Sequence, residues 1–411
     1  MQPIFKSKGK QTRLFMLYTI ITSTPIYVCS ILSILLILSL CTRWDRPRYR
    51  LLLFMVTATA LYAGHFVFFN RMTSAIPISD TLYCYSNPAV FPLFLIYIES
   101  LVLKNPNRKH EILYLVPALF CGISAGLLYA MMGEEETNEF IGYHIYGKQY
   151  SGLTGPALWL AIIHIIVKVI FTLEIPVILV MGWRYITNYN KMVRNSYSNT
   201  EDKVLSLIKP LLIAFVSASV ISFIFNFIGR EYFSESVWLL AIPTFAFSAL
   251  ILLFGFVGLT QHYSINNLEE ELDITDINSE SAIELTQDAE DNLTKEIRRL
   301  MDEKQLFLQS NLKINDLALM LNTNRNYIYH AINGKIGVSF SDYINQKRID
   351  YAVSLIESHP TMHLTEVAHK SGFSSPSSFY RNFKAIMGCS PSDYQKRRDA
   401  NITVSIPHKN L

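Results

Sequence analysis

The run GFSSPSSFYRNFKAIMGCSPSDYQKRR, Gly372 to Arg398, sets out a turn, a helix, a second turn and a second helix. Gly372 can take the left-handed backbone that ends one helix. Ser375-Pro376 follows as a cap with proline at the first helical position, where its missing N–H is no loss. Phe379, Phe383, Ile386 and Met387 then recur at i, i+4, i+7 and i+8, which marks one buried helical face. Gly388 ends that helix, and Ser390-Pro391 repeats the cap, with Asp393 in the first turn to suit the helix dipole. The opposite face of the first helix carries Ser377, Arg381 and Lys384. A short helix with an apolar back and an Arg/Lys/Ser front fits a DNA major groove.

Working outward, LKINDLALMLNTNRNYIYHAINGKIG, Leu312 to Gly337, repeats the plan. A helix from Asn315 packs Leu317, Ala318 and Leu321. A second helix from about Thr323 turns Ile328, Ala331 and Ile332 inward and Asn326, Tyr329, His330 and Asn333 outward. Between the two units lies Ser339 to Ser358, opened by a Ser339-x-x-Asp342 capping box. At about 1.5 Å per residue this helix spans roughly 30 Å, close to the ~34 Å between successive major grooves on one face of DNA. One chain is therefore expected to read two adjacent grooves. Lys295 to Arg398 carries 15 Lys and Arg against 9 Asp and Glu, a net of +6 that suits phosphate contact.

The stretch GFSSPSSFYRNFKAIMGCSPSDY as a whole resembles the second helix-turn-helix of the AraC/XylS family of bacterial transcription regulators. The resemblance reaches back to about Lys295, roughly the last quarter of the chain. It implies two helix-turn-helix units joined by a long helix, with promoter DNA and RNA polymerase as partners. By position in the family pattern, Asn326, Tyr329 and His330 fall on the base-reading face of the first unit. Ser377, Ser378 and Arg381 fall on that of the second. Arg325, Lys335 and Lys384 are expected to meet phosphates. Typical family members are soluble and carry a ligand-binding domain, from which this chain departs.

The departure lies before residue 260. Half of the chain is hydrophobic, with 25 Phe and 23 Tyr, and the apolar residues are concentrated there. Seven runs are long enough for a bilayer core, which takes about 20 helical residues: Leu14–Cys41, Leu51–Asn70, Leu82–Leu103, Ile112–Met132, Ala157–Trp183, Leu207–Ile228 and Val237–Leu259. Pro88 and Pro92 are expected to break the first half of the third. The first run is too long for a cleaved signal peptide and lacks a small-x-small site before Thr42, so it reads as a retained span. Loops 42–50, 104–111 and 184–206 hold 11 Lys and Arg, against Arg71, Lys148 and Arg230 on the alternate loops. The positive-inside rule then places the N-terminus outside and residue 260 in the cytoplasm. Four basic residues near the N-terminus point the other way, and the need to reach DNA decides between the two.

The expected organisation is all-α: a seven-helix transmembrane bundle over 1–260, an acidic cytoplasmic linker over 261–294, a DNA-binding domain over 295–398 and a tail over 399–411. The linker holds ten Asp and Glu and no Lys or Arg. It reads as a solvated tether or, more sharply, as an occupant of the basic DNA-binding face. The domain's first helix is expected over Leu293–Phe307.

Within the spans, Glu99, His164, Lys168 and Glu174 are costly in lipid and stand as candidates for sensing, with a bundle-knitting role as the plainer account. His164 and Lys168 share a helical face, with Glu99 and Glu174 as partners for Lys168. The five cysteines show no disulfide framework and no metal-ligand spacing. No nucleotide loop, nucleophile elbow, HExxH or phosphorelay signature appears, so no metal, cofactor or catalytic activity is expected. The leading reading is a one-component regulator in the bacterial inner membrane, multi-pass, with its DNA-binding end in the cytoplasm and lipids and a second copy as partners. The alternative is a transporter or membrane enzyme with an autoregulatory DNA-binding tail. Seven spans exceed the need of a passive anchor, and the extracytoplasmic loops are short. A signal should therefore enter through the bundle, the lipid or a partner.

Overall fold

The computed structural model describes residues 8–104, 106–147, 152–201, 203–228, 237–261, 265 and 287–399. Among these, helices dominate and no strand forms; one isolated bridge joins Tyr197 and Lys313. The chain divides into two compact units, one of Met1–Ile186 with Leu205–Ile265 and one of Thr187–Val204 with Asn266–Leu411.

The first unit is a bundle of α1 (Lys8–Thr42), α2 (Arg46–Phe69), α3 (Ile76–Val102), α4 (Arg108–Met131), the short α5 (Glu134–Glu139), the part of α6 (Gly155–Ser196) up to Ile186, α7 (Ile208–Ile228) and α8 (Val237–Thr260). Six of these helices are long and apolar enough to cross a membrane. The seventh expected run forms α7, but its described apolar stretch, Ile208–Ile221, falls short of the six by that measure. Side chains such as Ile31, Ile112, Leu127, Leu173, Val180 and Phe256 are exposed on the bundle's outside. Helices that are apolar inside and out suit a lipid solvent.

Helix α3 is the centre, buried at every position from Ser86 to Val102 and packed between α2 and α4. It runs unbroken through Pro88 and Pro92, against expectation. Each proline frees one carbonyl a turn earlier, and in a buried membrane helix the neighbours make good that loss. Rings of α2, α3, α7 and α8 meet around Phe94, with Phe254 at 4.8 Å, Phe215 at 4.9 Å and Phe54 at 5.8 Å. At one end of the bundle, Arg46 and Arg50 both pair with Glu111, and Arg48 Nη2 donates to the Leu259 carbonyl at 3.5 Å. The basic loops one and three and the end of α8 therefore share one end.

The second unit contains residues 187–204, α9 (Gln287–Lys304), α10 (Ile314–Met320), α11 (Arg325–His330, continued by a π-turn to Ile336), α12 (Phe340–Ser358), α13 (Leu364–Lys370), α14 (Pro376–Met387) and α15 (Pro391–Asp399). Helix α9 begins six residues before the expected Leu293. Asp288 and Glu290 fall in its first turn, where the helix dipole favours acid, so charge that read as linker is helix start. The rest of the acidic stretch, 266–286, lies outside the described residues.

Two separate cores fill this unit. Phe340, Tyr343 and Ile344 of α12 pack with Leu317, Ile328 and Ile332, while Ile349, Ala352 and Ile356 of the same helix pack with Val367, Phe379 and Phe383. One 19-residue helix thus belongs to both helix-turn-helix units, and Ser339 caps it by accepting from Asp342 N at 3.1 Å. Gly372 has φ +83°, and a Cβ there would stand 2.7 Å from the Leu308 backbone, so only glycine lets the turn approach this closely.

Candidate nucleic-acid interface

The second recognition helix is α14. Ser375 accepts from Ser378 N at 3.1 Å at its start, and Gly388 at φ 73° closes it. Phe379 and Phe383 are fully buried, which turns Ser377, Arg381 and Lys384 to the open side. Tyr380, not singled out from sequence, shares this exposed side. Ser378 does not: only 6% of it is exposed, with Asn382 Nδ2 3.4 Å from its hydroxyl and 2.9 Å from its carbonyl. Position three of a capped helix faces the preceding turn, which withdraws that hydroxyl from any base.

In the first unit, Asn324 caps α11 through Asn326 N at 2.8 Å. Ile328 is buried, His330 is exposed, and Arg325, Asn326 and Tyr329 are half-buried. Burial moves the Arg325 guanidinium below its ordinary pKa, partly offset by Tyr197. Lys335 is bound to Asp291 of α9 at 2.8 Å, and this hydrogen bond raises the ammonium's pKa and lowers the carboxyl's.

What covers Arg325, Asn326 and Tyr329 is the segment 187–204, an element of the same compact unit. Helix α6 runs on past the expected end of its span at Trp183 to Ser196. Asn188, Lys191, Met192 and Asn195 form the facing wall of a cleft of about 320 Å³ lined by Arg325, Asn326 and Tyr329. Beyond it Ser198 is locked in, its N–H donating to the Leu312 carbonyl at 3.0 Å and its carbonyl accepting from Ser341 Oγ at 3.2 Å. Glu201 then reaches the second recognition helix. Its Oε1 lies 3.1 Å from Arg381 Nη2, and its Oε2 accepts from the capping Ser375 hydroxyl at 2.7 Å. One carboxylate therefore holds an arm of the Arg381 guanidinium and the capping serine of the same helix. The sequence hid this contact, because Glu201 lies in a polar loop between two apolar runs.

Arg348 is the other residue sequence reasoning missed. It is 1% exposed and donates to the carbonyls of Phe307 at 2.7 Å and Gln309 at 2.6 Å, and to Ser198 Oγ at 3.1 Å. It also stacks 5.6 Å over Phe373. Burial lowers its pKa to about 10, so it stays charged at neutral pH.

The four ionisable residues of the spans are not gathered into one site. Glu99 is buried and hydrogen-bonded by Tyr185 and Tyr114. Lys168 is exposed, and Glu174 is half-buried with Oε2 enclosed. His164 meets Asp80, a residue outside the expected span, at 2.8 Å.

Residues 317–397 match the family described as a helix-turn-helix domain, and the C-terminal part of the chain is a helix-turn-helix domain of AraC type. The chain is 34% identical over 92 residues to the Msm operon regulatory protein of Streptococcus mutans, covering 22% of this chain and 33% of that one. It is 28% identical over 101 residues to the transcriptional regulatory protein HptR of Staphylococcus aureus, covering 25% of this chain and 39% of that one. The chain thus spans little more than a third of the length of these curated relatives. No solved structure matches the chain. The matched relatives are transcriptional regulators by name, and what they share with this chain is its helix-turn-helix domain.

Proposed function

We propose that the protein is a one-component transcription regulator held in the bacterial inner membrane, and that segment 187–204 keeps its DNA-reading faces closed until the bundle responds to a signal. The observation that carries this is Glu201, which binds Arg381 and Ser375 of the second recognition helix at once. Arg381 cannot give its fork to guanine while one arm is held by a carboxylate. Helix α6 runs without a break from the bundle residues 155–186 into 187–196, which gives the membrane part a direct covalent handle on this contact. Promoter DNA is the partner, with lipids around the bundle; a second copy and RNA polymerase complete the proposed assembly.

The test is Glu201→Gln, which keeps the size and removes the charge. Losing one partly buried ion pair is worth about 1 kcal/mol, so operator affinity of the full chain in micelles should rise about five- to tenfold. A promoter reporter should move toward its signalled level in the absence of signal. Unchanged affinity and unchanged output would remove the closing role from this segment.

Membrane orientation is tested separately. The clustering of Arg46, Arg50, Glu111 and the end of α8 at one end supports residue 260 lying on the side of the basic loops. A reporter enzyme active only outside the cytoplasm should score positive in loop 133–156 and negative after residue 260. The reverse result at 260 would end the DNA-binding account.

A further inference from the structure

We infer that Asp80, Cys84 and His164 form a binding site for a divalent transition-metal ion of the zinc class at the outer end of the bundle. The orientation named here rests on the proposed function; the site itself does not. A carboxylate oxygen, a thiol sulfur and an imidazole nitrogen, one from each residue, all lie within 4.8 Å of one another. Asp80 and Cys84 are i and i+4 on α3, so one helical face presents both to α6, which supplies His164. Oxygen, nitrogen and sulfur together are the donor set of zinc and its borderline neighbours rather than of magnesium or calcium, which take oxygen.

The surroundings fit a metal as well as the donors do. The Tyr129 hydroxyl donates to Asp80 Oδ2 at 2.9 Å and so aims the carboxylate. The His164 ring stacks on His144 with centroids 5.6 Å apart and planes 14° from parallel, and Phe140 lies 5.9 Å away, which fixes the imidazole plane. Outer partners of this kind hold metal ligands in register. Cys84 is fully buried, whereas the Asp80 and His164 side chains each keep 16% of their surface exposed, which leaves a way in. Three protein ligands leave a fourth position for water or for the Tyr129 oxygen. Binding would send the thiol proton to solvent, move the proton held between His164 Nε2 and Asp80 to His164 Nδ1 or to solvent, and replace that hydrogen bond with two bonds to the ion.

The position matters for a sensor. Asp80 is about 6 Å along α3 from its start and His164 about 14 Å along α6, at 1.5 Å per residue. Tyr129 is at the matching end of α4, and His144 lies in the segment that joins α4 to α6. The site therefore ties α6 to α3 at the end of the bundle opposite the basic loops. Helix α6 is also the element that continues into 187–196.

The experiment uses the full chain purified in detergent micelles, freed of metal and titrated with Co²⁺. A thiolate-to-cobalt charge-transfer band should appear with one equivalent and vanish when Zn²⁺ is added. Cys84→Ser should lose the band, and His164→Gln should weaken cobalt binding at least tenfold, each with wild-type helicity and a monodisperse elution profile. Asp80→Asn should weaken it similarly, which guards against a single misfolded variant. Absence of the band in the folded wild type, or its survival in Cys84→Ser, overturns the site. The Cys84-dependent part of the optical band reports on this site and the Glu201→Gln affinity on the closing segment, so either can fail without the other.

Discussion

Arg348→Leu is expected to destabilise the DNA-binding unit relative to the parent chain. The guanidinium donates to the Phe307 carbonyl and, from the same buried position, to those of Gln309 and Ser310, which also accept from Leu312 N at 3.3 Å and Ser198 Oγ at 3.4 Å. Leucine fills much of the volume but leaves the buried Phe307 carbonyl without this donor. A buried polar group without a partner costs about 1–3 kcal/mol. Against this stands the relief of burying a charge, which burial has already pushed toward its neutral form, with a pKa of about 10. The loss should outweigh the relief and amount to about 2 kcal/mol, the Phe307 carbonyl supplying most of it. Hydrogen exchange on the full chain is the measurement. Amides of α12 and of the 305–310 turn should lose protection together, while those of α3 should not change. Ser198→Ala is the control, because Ser198 supplies only one of the Arg348 contacts. It should cost under about 1 kcal/mol. Protection of α12 unchanged in Arg348→Leu would show that the carbonyls find other donors.

This example also marks where the sequence stops being legible. The helix-turn-helix pair was readable because its signals are local. In the second unit capping serines stand one residue before proline, Gly372 and Gly388 sit at left-handed stops, and Phe379 and Phe383 recur one turn apart. The two cores sharing α12 follow from the same periodicity. Arg348, inside the run Gln346-Lys347-Arg348-Ile349, looks like any solvated basic residue. Only the return of residues 305–310 and 198 makes it buried, and those contacts span up to 150 positions. Glu201 was hidden for the same reason. Asp80 and Cys84 stand at i and i+4, but the apolar run read from the sequence begins at Leu82, which leaves Asp80 in a loop. Helix α3 in fact begins at Ile76, because α2 and α4 flank it and tolerate its polar first turns.

Replacing Arg381 with alanine should separate sequence reading from simple attraction to DNA. Arg381 is the one arginine on the exposed stripe of α14, and the first unit's outward stripe of Asn326, Tyr329, His330 and Asn333 has none. A bidentate Arg–guanine pair is worth about 1–3 kcal/mol of discrimination, which is about 5- to 150-fold. Arg381→Ala should therefore flatten preference at one base position by that factor and leave the other positions alone. Lys384→Ala should instead weaken all sequences alike and reduce the salt slope by about one. Lys335→Ala should do less than Lys384→Ala, since Lys335 is already held by Asp291. In the full chain the Arg381 variant carries a second effect of opposite sign. It removes the partner of Glu201 and loosens segment 187–204. Binding to operators lacking the preferred guanine should then rise slightly over the parent even as binding to the best operator falls. Measured across an operator series by fluorescence anisotropy, this crossing of the two curves is the expected result. A uniform drop over the whole series would show that Arg381 meets the backbone and not a base.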